Sequence, residues 1–166
     1  MKMSQLVQNE SQNQPELIVC VGLPGSGKSY QINRRYPNHT IVSSDNIIER
    51  LSAAQGMTYD QGFKEFIGTA TTQMNNEFRD AINNNENIVW DQTNLSAKKR
   101  RGILSRVPKH YRTVAMVLDV DADVRQERVG QREGKTIPDH VMQSMAKSYQ
   151  PPTKDEGFDE IIIVKE

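Results

Sequence analysis

Apolar positions along the chain recur in two alternating patterns. Leu17-Ile18-Val19-Cys20-Val21 is a short unbroken apolar run, as expected of a strand buried on both faces. A glycine-rich turn follows, and Lys28 to Arg35 is predicted to be helical. Thr40-Ile41-Val42 predicts a second strand. Beyond it Ile47, Ile48, Leu51 and Ala54 step at helical spacing, with Asp45 a candidate N-cap. Gln55 to Gly62 reads as loop. Ala70, Met74, Phe78 and Ile82 then step by four, which predicts a long amphipathic helix ending at Asn83-Asn84-Asn85. Ile88-Val89-Trp90 predicts a third strand, Ser96 opens a helix, and Val114 to Leu118 predicts a fourth strand. A charged helix is expected from about Ala122 to Arg132. Pro138 belongs in the first turn of another, with Val141, Met145 and Tyr149 on one face. Ile161 to Val164 is the fifth strand. Short strands alternating with helices make βαβ units, so the expected class is α/β, a parallel sheet with helices on both faces.

Residues 1–15 are rich in Gln, Asn and Ser and end in a proline. They are predicted to be a flexible N-terminal segment, or else an interaction arm, ahead of a single domain over 16–166. A chain of 166 residues suits one core, and no internal repeat is present. Hydrophobic residues at 36% and charged residues at 25% exclude collagen-like, mucin-like and wholly disordered classes. Twenty-one basic residues balance twenty-one acidic ones, so any polyanion must be held by a local cluster rather than by the field of the whole protein. Cys20 is the lone cysteine, which points to a reducing compartment. No apolar run approaches the ~18 residues of a membrane span, and the opening residues lack the apolar centre of a secretory signal. The expected location is cytoplasmic (host cytoplasm if phage-encoded), with no membrane partner and no obligate protein partner evident.

Gly22-Leu23-Pro24-Gly25-Ser26-Gly27-Lys28-Ser29 matches G-x-x-x-x-G-K-[ST], between a predicted buried strand and a predicted helix. The glycines let backbone N–H groups converge on phosphate oxygens, and the following helix offers its N-terminal partial charge to the same anion. Lys28 would reach the β- and γ-phosphates, and Ser29 would ligate Mg²⁺. Asp45 follows the second strand, at the sheet edge where α/β ligands gather. It could accept a proton from an attacking hydroxyl, or merely cap its helix. Asp91 closes Ile88-Val89-Trp90, an arrangement in which a carboxylate holds Mg²⁺ or its water. Arg125, Arg128 and Arg132, spaced by three and four, would share a helix face. That face could clamp a transferring phosphoryl group, or be a solvated basic surface paired with Asp123, Glu127 and Glu133. Lys98-Lys99-Arg100-Arg101 is the one dense basic run, either a phosphate contact or an exposed helix surface. His39, His110 and His140 are too scattered for a metal site, and Cys20 reads as strand packing.

Taken together, these segments resemble the polynucleotide 5′-hydroxyl kinase family, phage and animal, within the P-loop kinases. The resemblance runs from Leu17 to Val164. It includes Gly22 to Ser29, Ser43-Ser44-Asp45 where the family usually carries Asn-Arg-Asp, Asp91-Gln92-Thr93-Asn94, Lys135-Thr136-Ile137-Pro138, and the tail from Pro151-Pro152-Thr153 through Glu156-Gly157-Phe158. The resemblance implies a P-loop kinase fold with sheet order 2-3-1-4-5 and a helical lid. It implies ATP and Mg²⁺ as cofactors and a 5′-hydroxyl DNA or RNA end as acceptor. Gly22, Pro24, Gly25, Ser26, Gly27, Lys28, Ser29 and Tyr30 would bind the nucleotide. Asp45 would be the general base, and Arg128 and Arg132 the lid arginines, with Arg132 stabilising the transferring group. Asp45, Asp91, Thr93 and Asn94 would face the acceptor, and Asp91 would order the metal held by Ser29.

Two positions depart from the pattern. Ser44 replaces the arginine before the base, and Ile48 stands where phage enzymes place an arginine that contacts the acceptor's 3′ phosphate. Arg50 or the run Lys98–Arg101 are the candidates to compensate. Two other functions fit the same sequence. One is a kinase of a nucleoside or small metabolite, which balanced charge and Ile48 favour. The other is a non-catalytic, nucleotide-dependent RNA-binding module, similar to the kinase-like domain of heterogeneous nuclear ribonucleoprotein U. Binding alone needs no base, so Lys28, Ser29, Asp45 and Arg132 together favour catalysis.

Overall fold

The structure is a computed structural model that describes residues 14–165. Residues 1–13 of the predicted N-terminal segment lie outside it. The described elements are β1 (Glu16–Val21), α1 (Lys28–Arg35), β2 (Thr40–Val42), α2 (Ser44–Ala54), α3 (Tyr59–Asn83), β3 (Ile88–Trp90), α4 (Ala97–Leu104), β4 (Arg112–Asp119), α5 (Ala122–Gly130), α6 (Asp139–Ser148), a 3₁₀ turn (Lys154–Glu156) and β5 (Glu160–Lys165). Every strand pair is parallel, and the sheet order is β2-β3-β1-β4-β5.

The apolar run of β1 explains its central place. Leu17, Val19 and Val21 join Trp90, Ala115 and Val117 in a core layer closed by Ile47, Ile48, Met74 and Phe78 from α2 and α3. Ile18 and Cys20 turn the other way, against Ile32 of α1 and Val89, Val114, Met116 and Val164. A strand buried on both faces needs apolar side chains at every position, which is what the sequence supplies. Cys20 is fully buried within that packing. Phe78 meets Trp90 edge-on at 4.9 Å, and the Arg106 guanidinium lies 5.0 Å and 5.2 Å from their ring centres.

Several element boundaries differ from the sequence reading. The predicted loop over Gln55 to Gly62 is cut short because α3 begins at Tyr59. Thr58 and Gln61 form a reciprocal capping box that fixes this start. Gly62 is therefore no helix breaker: it lies inside α3, where a Cβ would come within 1.9 Å of Ser52 Oγ on α2. Its missing side chain lets the two helices touch. The N-cap of α2 is Ser43, whose hydroxyl accepts from Asn46 N at 3.2 Å, so Asp45 is not the cap and its carboxylate is free for other partners. Helix α5 stops at Gly130, two residues short of Arg132. Pro138 is the N-cap of α6 rather than a first-turn residue, its fixed φ of −59° leading the chain in. Among the described residues, no helix is long and apolar enough to cross a membrane.

Candidate active site

The turn after β1 is shaped by two left-handed glycines, Gly25 at φ 81° and Gly27 at φ 86°. L-residues with a Cβ pay for that conformation in steric strain, so glycine is required here. Gly27 is also the N-cap of α1 and offers no side-chain cap, which leaves the first N–H groups of the helix open to an anion. The hydroxyl of Ser26 is buried without a hydrogen-bond partner and packs toward Gly22, where a Cβ would stand 2.7 Å from it. Lys28 folds back over the loop and donates to Gly22 O at 3.3 Å. Burial pulls its ammonium below its usual value, against the supporting charge of Asp91. A polyanion would supply what this lysine lacks.

The segment after β3 is tied to the loop on one side and to β2 on the other. Gly22 N donates to Thr93 O at 3.0 Å, and Asp91 N donates to Val42 O at 2.9 Å. Burial pushes the Asp91 carboxyl up, with Lys28 opposing and Asp45 adding to the rise. The backbone of α5 presses on the loop from above: a Cβ at Gly25 would stand 2.4 Å from Arg125 O. Arg128 donates to Gly25 O at 3.2 Å.

These groups open onto one cavity of ≈ 1000 Å³. Pro24, Gly25, Ser26, Gly27, Lys28, Ser29 and Tyr30 line its floor. Asp45, Asp91 and Thr93 line one wall, and Arg128 and Arg132 reach it from the segment over the loop. Asp45 is half-exposed and accepts Tyr59 Oη–H on Oδ1 at 2.8 Å and Lys135 Nζ on Oδ2 at 3.1 Å. Burial alone would raise its pKa, but Lys135 and the Tyr59 hydrogen bond outweigh it and hold the carboxyl below the usual carboxylate range. A carboxylate kept ionised at the mouth of a phosphate cradle can receive a hydroxyl proton.

Other expected site residues fall elsewhere. Gly22 sits behind the loop, where a Cβ would meet Ser26 Oγ at 2.7 Å and Leu118 Cβ at 3.0 Å. Asn94 is fully buried, at φ 48°, and donates to Cys20 O at 2.7 Å, so it staples β1 to the Asp91–Asn94 segment instead of facing an acceptor. Arg50 is exposed and outside the cavity lining, because α2 turns Glu49 inward instead. Ile48 is completely buried in the core, so that position faces away from any acceptor.

The basic run is split by its helix. Lys99 lines the cavity, while Arg100 is fully buried and held by Glu156 at 2.7 Å and 3.1 Å. Arg125 does not share the clamp face: its Nη1 donates to Val120 O at 2.8 Å, and Arg132 lies beyond the helix end.

Tyr59 and Glu49 line the cavity without having been singled out as site residues, beside Lys99 of the basic run and Lys135, named above only as part of the resemblance. The loop reading hid Tyr59. The Thr58-x-x-Gln61 capping signal would have exposed it, since it starts a helix whose first residue follows the cap. Among the described residues, no cluster of three or more His, Cys, Asp or Glu could hold a metal. Ser29 and Asp91 both line the cavity, a hydroxyl and a carboxylate of the kind that Mg²⁺ takes beside waters and phosphate oxygens.

A family model described as an AAA domain matches residues 17–152. The chain belongs to that family. Over 156 residues this AAA domain is 22% identical to heterogeneous nuclear ribonucleoprotein U-like protein 2 of Homo sapiens, covering 88% of this chain and 21% of that protein. It thus spans about a fifth of the length of the curated relatives it matches. Among solved structures, a candidate kinase from Chloroflexus aurantiacus is similar with a TM-score of 0.66 and 16% identity, over 92% of this chain and 88% of that one. A gluconokinase from Sinorhizobium meliloti gives 0.55 and 19%, over 92% and 83%. A chain of the Pnkp1/Rnl/Hen1 RNA repair complex gives 0.63 and 21%, over 81% and 43%. These likenesses show the fold, that of a P-loop kinase.

Proposed function

We propose that this AAA domain is an ATP- and Mg²⁺-dependent kinase that moves the γ-phosphate of ATP to the 5′-hydroxyl end of a DNA or RNA strand. The observation that carries the reading is the convergence of phosphate loop, Asp45, Arg128 and Arg132 on one cavity. The acceptor oxygen attacks the γ-phosphorus, a new O–P bond forms, the bond to the bridging β–γ oxygen breaks, and ADP leaves. Asp45 takes the hydroxyl proton. Lys28 and the loop N–H groups hold the β- and γ-phosphates, and Arg128 and Arg132 face the charge that spreads over the moving group. Ser29 would hold Mg²⁺ and Asp91 would order its water, and the ion would supply charge neutralisation at the phosphate oxygens. The acceptor assignment draws on the sequence resemblance over Ser43-Ser44-Asp45 and on the tail through Glu156-Gly157-Phe158.

The test is transfer of labelled γ-phosphate from ATP to 5′-hydroxyl DNA and RNA oligonucleotides, with Lys28→Ala and Asp45→Asn alongside. Label on the 5′ end, lost in Lys28→Ala and reduced about 100-fold or more in Asp45→Asn, is the expected result. A rate within tenfold of wild type for Asp45→Asn would remove it as the base.

A kinase of a nucleoside or small metabolite is favoured by one finding, the burial of Ile48 with Arg50 turned outward, which leaves no arginine of α2 at the acceptor. Phosphorylation of free nucleosides with none on oligonucleotides would establish it. ATP binding without transfer to any hydroxyl would point to a nucleotide-dependent RNA-binding module, the reading that the similarity to heterogeneous nuclear ribonucleoprotein U-like protein 2 supports.

A further inference from the structure

Lys135 belongs to no helix or strand. It lies in the strap of residues 131–138 that joins α5 to α6. Its ammonium nonetheless reaches Asp45 Oδ2 at 3.1 Å and Glu49 Oε1 at 3.6 Å, and stands 4.4 Å from the centre of the Tyr59 ring. Its side chain is only 17% exposed. A cation so enclosed depends on its partners, and two carboxylates and a ring face provide them.

The strap is tied to the start of α3 at several points. Asp60 N donates to Gly134 O at 2.9 Å. Thr136 donates to the Asp60 carboxylate through its N–H, at 2.9 Å, and through its hydroxyl, at 3.0 Å. Gly134 has φ 68°, and a Cβ there would come within 2.8 Å of Thr58 Cβ. These anchors flank Tyr59, whose hydroxyl holds the other oxygen of Asp45. Asp45 is therefore oriented from two sides, by Tyr59 from α3 and by Lys135 from the strap. Lys28 of α1, Asp91 after β3 and Lys99 of α4 act on it by charge without a direct bond among the described contacts.

We propose that Lys135 is a positioning residue for Asp45, delivered by a strap anchored on Asp60, so that the base is held on both carboxylate oxygens only while the strap is docked against α3. This rests on reading Asp45 as the base. It makes lid position and base readiness one event: the segment carrying Arg132 toward the phosphates also carries the cation that fixes the acceptor's proton acceptor.

The experiment combines a mutant cycle with amide exchange on the full chain. Lys135→Met, Lys135→Arg, Asp60→Ala and the double variant Lys135→Met/Asp60→Ala are assayed for kcat and for KM of ATP and of a 5′-hydroxyl oligonucleotide. Lys135→Met should lower kcat about 10–100-fold with KM for ATP unchanged, and Lys135→Arg should recover most of it. Asp60→Ala should lower kcat comparably and strip exchange protection from the Thr136 amide. The double variant should be no slower than Lys135→Met, because both changes remove one contact. A kcat within threefold of wild type for Lys135→Met, no recovery with Lys135→Arg, losses that multiply in the double variant, or an unprotected Thr136 amide in wild type would each overturn the proposal. Full activity of Asp45→Asn would instead overturn the base reading beneath it. A dead Asp45→Asn beside an unimpaired Lys135→Met would sink the Lys135 assignment alone.

Discussion

Removing the carboxylate of Glu156 should destabilise the domain more than any loss of a surface charge could. Arg100 is completely buried, and Glu156, with a side chain 5% exposed, meets it with two hydrogen bonds of 2.7 Å and 3.1 Å. The third guanidinium contact is Nη1 to Asn94 O at 2.8 Å. Glu156→Ala leaves that guanidinium charged, dry and held by one carbonyl. Breaking one side of a buried pair costs about 3–5 kcal/mol, against ~1 kcal/mol or less for an exposed one. For a chain of this size each kcal/mol moves the midpoint by ~2–4 °C, so Tm should fall by about 6–20 °C. Urea unfolding followed by circular dichroism gives the same quantity as a lower midpoint with unchanged slope. Arg100→Met/Glu156→Leu, which removes both charges, should recover most of the loss.

The same pair predicts a pH dependence. Burial favours the neutral acid, but hydrogen bonds from Arg100 and from Thr153 N–H outweigh it and hold the Glu156 carboxyl below its usual value. Its contribution is therefore complete above the ordinary glutamate range near ~4.3 and is lost as pH falls through the lower folded value. A Glu156→Ala loss under about 1 kcal/mol, or one that does not shrink in acid, would refute the buried-pair account.

Two further substitutions separate structural from functional roles. Gly25→Ala places a methyl 2.4 Å from Arg125 O at φ 81°, so α5 must retreat and Arg128 must release Gly25 O. Backbone strain of ~1–2 kcal/mol and an ATP affinity at least about tenfold weaker are expected, and unchanged binding of a fluorescent ATP analogue would count against it. Asn94→Ala removes the buried bond to Cys20 O and should cost about 1–3 kcal/mol by thermal unfolding while leaving the ratio of DNA to RNA product in the proposed kinase assay unchanged. A shift in that ratio at wild-type stability would restore Asn94 to the acceptor site.

The sequence alone determined the α/β class, the strands and the phosphate loop, because these rest on local requirements. A strand buried on both faces must be apolar throughout, as Leu17–Val21 is, and a loop with φ above zero at two positions must carry Gly25 and Gly27. Sheet order came from the resemblance rather than from spacing, and the structure has that order. What tertiary structure alone decided is which side chains face the cavity. Lys99 and Arg100 are neighbours of equal charge, yet one lines the site and the other is interred with Glu156, since a helix rotates each successive residue by about 100°. Arg50 and Glu49 are sorted the same way. Lys135 and Asp45 are 90 residues apart, and only the packing of the strap on α3 brings ammonium and carboxylate within 3.1 Å. Contacts of that kind depend on two distant segments meeting, and no local pattern in either segment encodes the meeting.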